Sequence, residues 1–228
     1  MQSKTENHTM RVFYLLAIVF VVDGHTTNGH LFEMNGLFRY YSFHLMMFAF
    51  GSGYFFKFYG GALSDFAHRA KKLLVPLYLW NVVYGVGAAL LRRFGGFELG
   101  EPISAYTLLL APLTDGQHFV WNLGAWFIFP LFFAQVFYAG IRRLSVRWHE
   151  NEVMTFLLCL IPGCAAVQLC FSGRQEALPL FLLRPMILLP GFAGGQLYRR
   201  VLEKRDRLPT VPYLLAIVVL RVLLSTRY

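Results

Sequence analysis

Apolar runs divided by short polar stretches recur along most of this chain, at lengths that suit helices crossing a bilayer. The first covers residues 11–29, about 19 residues and so about 28 Å of helix at 1.5 Å per residue. No A-x-A-like cleavage site follows its apolar core, so it reads as an uncleaved first helix. The second covers residues 42–59, where Gly51-Ser52-Gly53 would admit a close backbone neighbour. The third, residues 73–91, places Pro76 in its first turn, where the missing N–H costs little.

Residues 92–118 form a long connection, and its apolar stretch at 105–113 is too short to cross, which predicts an interfacial or re-entrant segment. A fourth span is expected over 119–138, with Trp121 and Trp126 near its start and a kink at Pro130. The fifth covers 153–171, broken at Pro162-Gly163; the sixth covers 178–198 and carries Arg184, Pro185 and Pro190. A last apolar segment over 211–224 falls short of the ~20 residues a crossing needs. The pattern predicts an all-α polytopic transmembrane bundle of about six full spans and a partial seventh. A single membrane domain is expected over 1–228, one that reads as cut off partway through a larger bundle.

Composition agrees with a bilayer environment. Apolar residues make up 57% of the 228 and charged residues 14%, with a mean hydropathy of +0.50; a soluble domain is about a quarter charged. The formal charge of +9 would suggest nucleic acid in a soluble protein. Here the cations cluster between apolar runs, so they report topology instead. Alternate connections hold Arg69, Lys71, Lys72; Arg142, Arg143, Arg147; and Arg199, Arg200, Lys204, Arg205, Arg207, against Arg39, Arg92, Arg93 and Arg174 on the other side. The positive-inside rule makes the richer side cytoplasmic and with it the N-terminus. Cys159, Cys164 and Cys170 share one apolar run, which is neither a disulfide framework nor a metal spacing.

The chemistry-bearing residues concentrate between positions 20 and 54. Asp23 and His25 close the first apolar run and His44 opens the second, so both imidazoles are expected at similar depth toward the outer face. A neutral imidazole takes a proton from a hydroxyl near neutral pH, its unperturbed pKa being about 6.5. Asp23, two positions from His25, points to another helix face and does not obviously orient it. His30 lacks the third ligand that a metal pair with His25 would need. Arg184, deep in the sixth span, should face a partner or an aqueous cavity, with Asp23 one choice. Arg69, Lys71 and Lys72 suit either phosphate binding or plain topology. There is no H-E-x-x-H, P-loop, G-x-S-x-G or Rossmann glycine pattern.

Four stretches occur in a telling order: LLAIVFVVDGH (15–25), FHLMMFAFGSGYFF (43–56), RAKKLLVPLYLW (69–80) and NLGAWFIFPLFFAQVFY (122–138). Together they resemble the acyltransferase-3 family of multi-pass membrane acyltransferases, nearest the branch related to fucose 4-O-acetylases. The resemblance implies a ten-span bundle in a bacterial inner membrane. It implies transfer of an acetyl group from acetyl-CoA, with no metal, to a hydroxyl of an envelope or exported glycan. It makes His25 the essential base or acyl carrier, His44 its companion, and Arg69 and Lys72 the basic pair meeting CoA phosphates. Relatives commonly carry a basic residue where Tyr14 stands, Pro where Met46 stands, and Arg where Lys72 stands. The alternative is a non-enzymatic membrane protein, either part of a transporter using Asp23 and Arg184 as a path or an inactive relative of the acyltransferases.

Overall fold

A computed structural model describes residues 8–25, 44–96, 102–111, 123–148 and 151–205. Every regular element among them is helical. We number the α-helices α1 (His8–Gly24), α2 (His44–Tyr54), α3 (Ala62–Gly95), α4 (Ile128–Trp148), α5 (Glu152–Phe171) and α6 (Leu180–Leu197). A 3₁₀ turn over Leu123–Phe127 leads into α4, and a π-helical turn over Tyr198–Leu202 prolongs α6.

Four stretches are long and apolar enough to cross a membrane: Ala62–Gly95, Ala125–Val146, Glu152–Phe171 and Leu180–Leu202. They correspond to the third to sixth expected spans. The described parts of the first two, α1 and α2, run for 17 and 11 residues. The expected fragment over 211–224 lies outside the described residues, as does the end of the first span beyond His25. Val75, Leu79, Val82, Val83, Val86 and Leu90 of α3 are all exposed. A row of large apolar side chains turned outward on a 34-residue helix is a surface for lipid tails. This is an integral membrane protein.

Helix boundaries differ from expectation in several places, among them the end of the fourth span, whose helix runs to Trp148 and not 138. The third helix begins at Ala62, not near residue 73, because the basic turn carrying Asp65 and Arg69 is itself helical. Its i,i+4 ion pair supports that turn. Pro76 therefore lies inside α3 and not in its first turn. Pro162 does not break α5, which runs unbroken from Glu152 to Phe171. Pro130 falls in the first turn of α4, where no intrahelical N–H bond is lost, so the irregularity is the 3₁₀ turn before it and not a mid-span kink. The short apolar stretch forms a π-helical turn over Tyr106–Leu110. It leans on α3, whose Asn81 Nδ2 and Tyr78 hydroxyl donate to the carbonyls of Leu108 and Leu109, both at 3.2 Å.

The second helix stops at Tyr54, short of the expected residue 59. Gly53 O keeps a bond from Phe56 N at 3.0 Å, and the carbonyls of this end are also met by side chains from elsewhere. Gln196 Nε2 donates to Gly53 O at 2.7 Å and to Phe56 O at 2.9 Å. Arg199 Nη1 donates to Tyr54 O at 2.9 Å, and Arg69 Nη2 to Lys57 O at 2.7 Å. A helix end inside an apolar bundle needs such partners, since water does not supply them.

The sixth helix is the centre of the bundle. It packs against α2, α4 and α5, while α1 lies on α2 and α3 on α4. Phe192, Leu189 and Ala193 of α6 are buried with Ala49, Ala134, Tyr138 and Cys159. In the α2–α6 crossing a Cβ on Gly53 would collide with the carbonyl of Phe192, and one on Gly195 with the carbonyl of Phe50. Small residues let two helices approach backbone to backbone, which is how helices gain contact in lipid. Gly195→Val is accordingly expected to destabilise the bundle by about 3 kcal/mol, the upper end of overpacking costs. Thermal unfolding in detergent checks this beside Gly140→Ala, whose added methyl meets nothing within 4 Å and should leave stability unchanged.

Candidate functional site

The folding of α1 against α2 builds the first part of the site. His25 follows the last residue of α1, its N–H bonded to Val22 O at 3.1 Å, and its side chain is exposed. His44 opens α2 and is buried. Both line one cavity of about 340 Å³, closed by Val21, Leu45, Phe48, Trp126 and Phe127. The walls are apolar and aromatic, and the two imidazoles are its titratable groups. Apolar walls of this kind strengthen each electrostatic interaction made beside them.

Asp23 and Arg184 flank this end of the bundle. Asp23 is buried although His25, two residues on, is exposed, so the two side chains diverge as their spacing requires. The guanidinium of Arg184 sits 4.6 Å from the ring centroid of Trp126, whose ring also lines the histidine cavity. A cation over an indole face gains quadrupole attraction inside a bundle that otherwise penalises charge.

Arg69 lies at the other end of α2, with both terminal nitrogens of its guanidinium engaged and its buried Nε without a hydrogen-bond partner among the described residues. It is buried and donates from Nη2 to Asp65 Oδ1 at 2.7 Å and from Nη1 to Gln135 Oε1 at 2.9 Å, besides its bond to Lys57 O. Its guanidinium carbon stands 4.1 Å from the ring centroid of Phe56. Asp65, 1% exposed, also accepts from Tyr59 N and from Arg143 Nη2, each at 3.2 Å. The network ties α3, α4 and the turn after α2 into one block. Lys72, one turn on from Arg69, is exposed instead. Both residues line a second cavity of about 370 Å³, together with Tyr14, Ser52, Phe55, Lys57 and Gln135.

The two cavities nearly meet. Tyr14 belongs to the second and Phe48 to the first, and their rings are in tilted contact with centroids 6.2 Å apart. Phe48 in turn touches Phe127, centroid to centroid 6.0 Å. An aromatic contact thus joins the wall of the histidine cavity to that of the Arg69 chamber. Hydropathy alone had set these groups near opposite faces of a ~30 Å core.

Sequence reasoning had not singled out Phe48, Trp126, Asp65 or Gln135. Only Asp65 left a readable trace, its i,i+4 spacing to Arg69 near a helix start. Among the described residues no cluster of three or more His, Cys, Asp or Glu side chains has the arrangement of a metal site; His30 lies outside them.

A lipid-facing helical bundle with an imidazole-lined chamber next to a basic one defines a membrane protein with an internal chemical site. The model of a family described as an acyltransferase domain, the acyltransferase-3 family, matches residues 11–227. The chain belongs to that family, and its class is membrane acyltransferase. The match reaches through α5 and α6, beyond the four stretches that carry the resemblance. No curated protein and no solved structure matches the chain.

Proposed function

We propose that the protein moves an acetyl group from acetyl-CoA to a hydroxyl of an envelope glycan, as in the fucose 4-O-acetylase-like branch of the family. The observation that carries this is the pair of chambers whose linings meet at the Tyr14–Phe48 ring contact. In this reading the basic end is cytoplasmic and admits the donor. Lys72 stands at the mouth, and Arg69, its Nη1 and Nη2 already engaged, holds the chamber wall. The thioester reaches past Tyr14 and Phe48 to the histidine cavity, where the acceptor hydroxyl enters from the outer face.

His25 then takes the hydroxyl proton as the oxygen attacks the thioester carbonyl. The C–S bond breaks, and the imidazolium returns that proton to the departing thiolate. His44 orients His25 or the acceptor from within the same cavity. A His25 acyl-carrier route uses the same atoms in two steps.

Membranes containing the full chain, given radiolabelled acetyl-CoA and an envelope-glycan extract, test the proposal. Label entering glycan supports it; no label in glycan, with the protein folded and inserted, rejects it in favour of a non-enzymatic relative. The ring contact carries its own prediction. Phe48→Trp adds bulk there and is expected to lower transfer about tenfold, roughly 1.4 kcal/mol of barrier, while donor affinity stays unchanged. Equal loss of binding and transfer would place Phe48 outside the route.

A further inference from the structure

A third cavity, of about 800 Å³, takes no part in the chemistry so far. It opens at the Arg69 end of the bundle, between the turn after α2, the end of α4, the start of α5 and the π-helical turn after α6. Lys57, Arg142, Arg199, Arg200 and Lys204 line it, with Glu152 as its one carboxylate. Glu152 Oε1 pairs with Arg142 at 2.9 Å and with Arg200 at 3.1 Å. Arg199 has one donor on Tyr54 O. The ammonium groups of Lys57 and Lys204 are exposed, and no hydrogen bond or ion pair among the described residues engages them.

A surplus of four positive charges thus faces one concavity from three separate segments. Topology requires cations in a loop but not their convergence on a hollow, where like charges raise one another's energy. An anion of several charges relieves that repulsion, and guanidinium groups match phosphate oxygens in geometry. The cavity shares Phe56 and Lys57 with the Arg69–Lys72 chamber, so an anion bound here can send an extended arm toward Tyr14.

We infer that this cavity binds the phosphate-bearing nucleotide end of the acyl donor, a ribose 3′-phosphate with a 5′-diphosphate, and that the Arg69–Lys72 chamber takes only the neutral thioester arm. The inference rests on the proposed acetyl-CoA reaction. It moves the phosphate contacts from Arg69 and Lys72 to Arg199, Arg200, Lys204 and Lys57.

The test is equilibrium binding of labelled CoA to the full chain in nanodiscs of zwitterionic lipid, with adenosine 3′,5′-bisphosphate as competitor. The bisphosphate is expected to compete, and affinity to fall steeply with added salt. Arg200→Gln/Lys204→Gln should weaken CoA at least tenfold, and so should Lys204→Glu alone, an exposed position where folding is not at stake. Lys72→Gln should change affinity less than threefold. Unaltered CoA binding in both cavity variants, or a larger loss in Lys72→Gln, overturns the assignment. So does a wild-type protein that binds no nucleotide. If nanodiscs containing phosphatidylglycerol abolish nucleotide binding, the cavity is a lipid-headgroup site instead. Cavity-dependent CoA binding in a preparation that transfers no acetyl group refutes the reaction and leaves the site standing. Transfer that ignores the cavity variants does the reverse.

Discussion

Replacing His25 by Ala is expected to lower acetyl transfer by about 10²–10⁴-fold, the range that a positioned acid–base group contributes. The loss should appear in the rate at saturating donor, with CoA affinity unchanged, because His25 lies beyond the Tyr14–Phe48 contact from the basic chambers. His44→Ala should cost less, since His44 shares the cavity from a buried position and has no proton to move in the proposed step. A rate assay with both variants in matched membranes decides the order. If His44→Ala abolishes transfer and His25→Ala leaves it intact, the roles are exchanged; if neither variant matters, the chemistry is not in this cavity.

Removing the carboxylate of Asp65 is expected to be the most damaging single change to stability. Asp65→Ala leaves Arg69 charged and buried against Phe56 with only Gln135 and the Lys57 carbonyl for company, and takes away the Asp65 contact of Arg143. Breaking one side of a buried pair typically costs about 3–5 kcal/mol, because the remaining charge is uncompensated. Replacing both partners by apolar residues removes the stranded charge as well. Asp65→Leu/Arg69→Met should therefore recover a large part of the loss. Unfolding midpoints in detergent for the two single variants and the double variant test this. A strictly additive double variant would mean that the two residues do not act as a pair.

Much of the architecture was legible because a bilayer imposes long apolar runs whatever the tertiary contacts. The fifth and sixth spans were readable to within a few residues, whereas the third starts at Ala62 and not near 73, and the helix of the fourth runs to Trp148 and not 138. The start of α3 was misplaced because hydropathy does not register a helix whose first turns are polar and internally paired, as at Asp65 and Arg69. Prolines misled in the other direction. Pro76 and Pro162 sit inside continuous helices, since neighbouring helices support a span that an isolated peptide would break.

The sequence by itself determined that this chain is helical, lies in a membrane and concentrates its imidazoles near adjacent helix ends, properties that follow from residue type and spacing along the chain. Its four ordered stretches carried the resemblance to the acyltransferases, and the family match over residues 11–227 established it. Only the tertiary structure decided which side chains share a chamber. His25 and His44 meet because α1 and α2 pack together, and Phe48 reaches Tyr14 through that same contact. Arg69 is enclosed rather than offered to a ligand because Asp65, Gln135 and Phe56 converge on it from separate elements. Arg199, Arg200 and Lys204, which the sequence presents as a topological signal, become a cavity wall once α6 turns across the end of α2. Contacts between segments more than a hundred residues apart depend on helix crossings set by glycines such as Gly53 and Gly195, and periodicity along the chain carries no record of them.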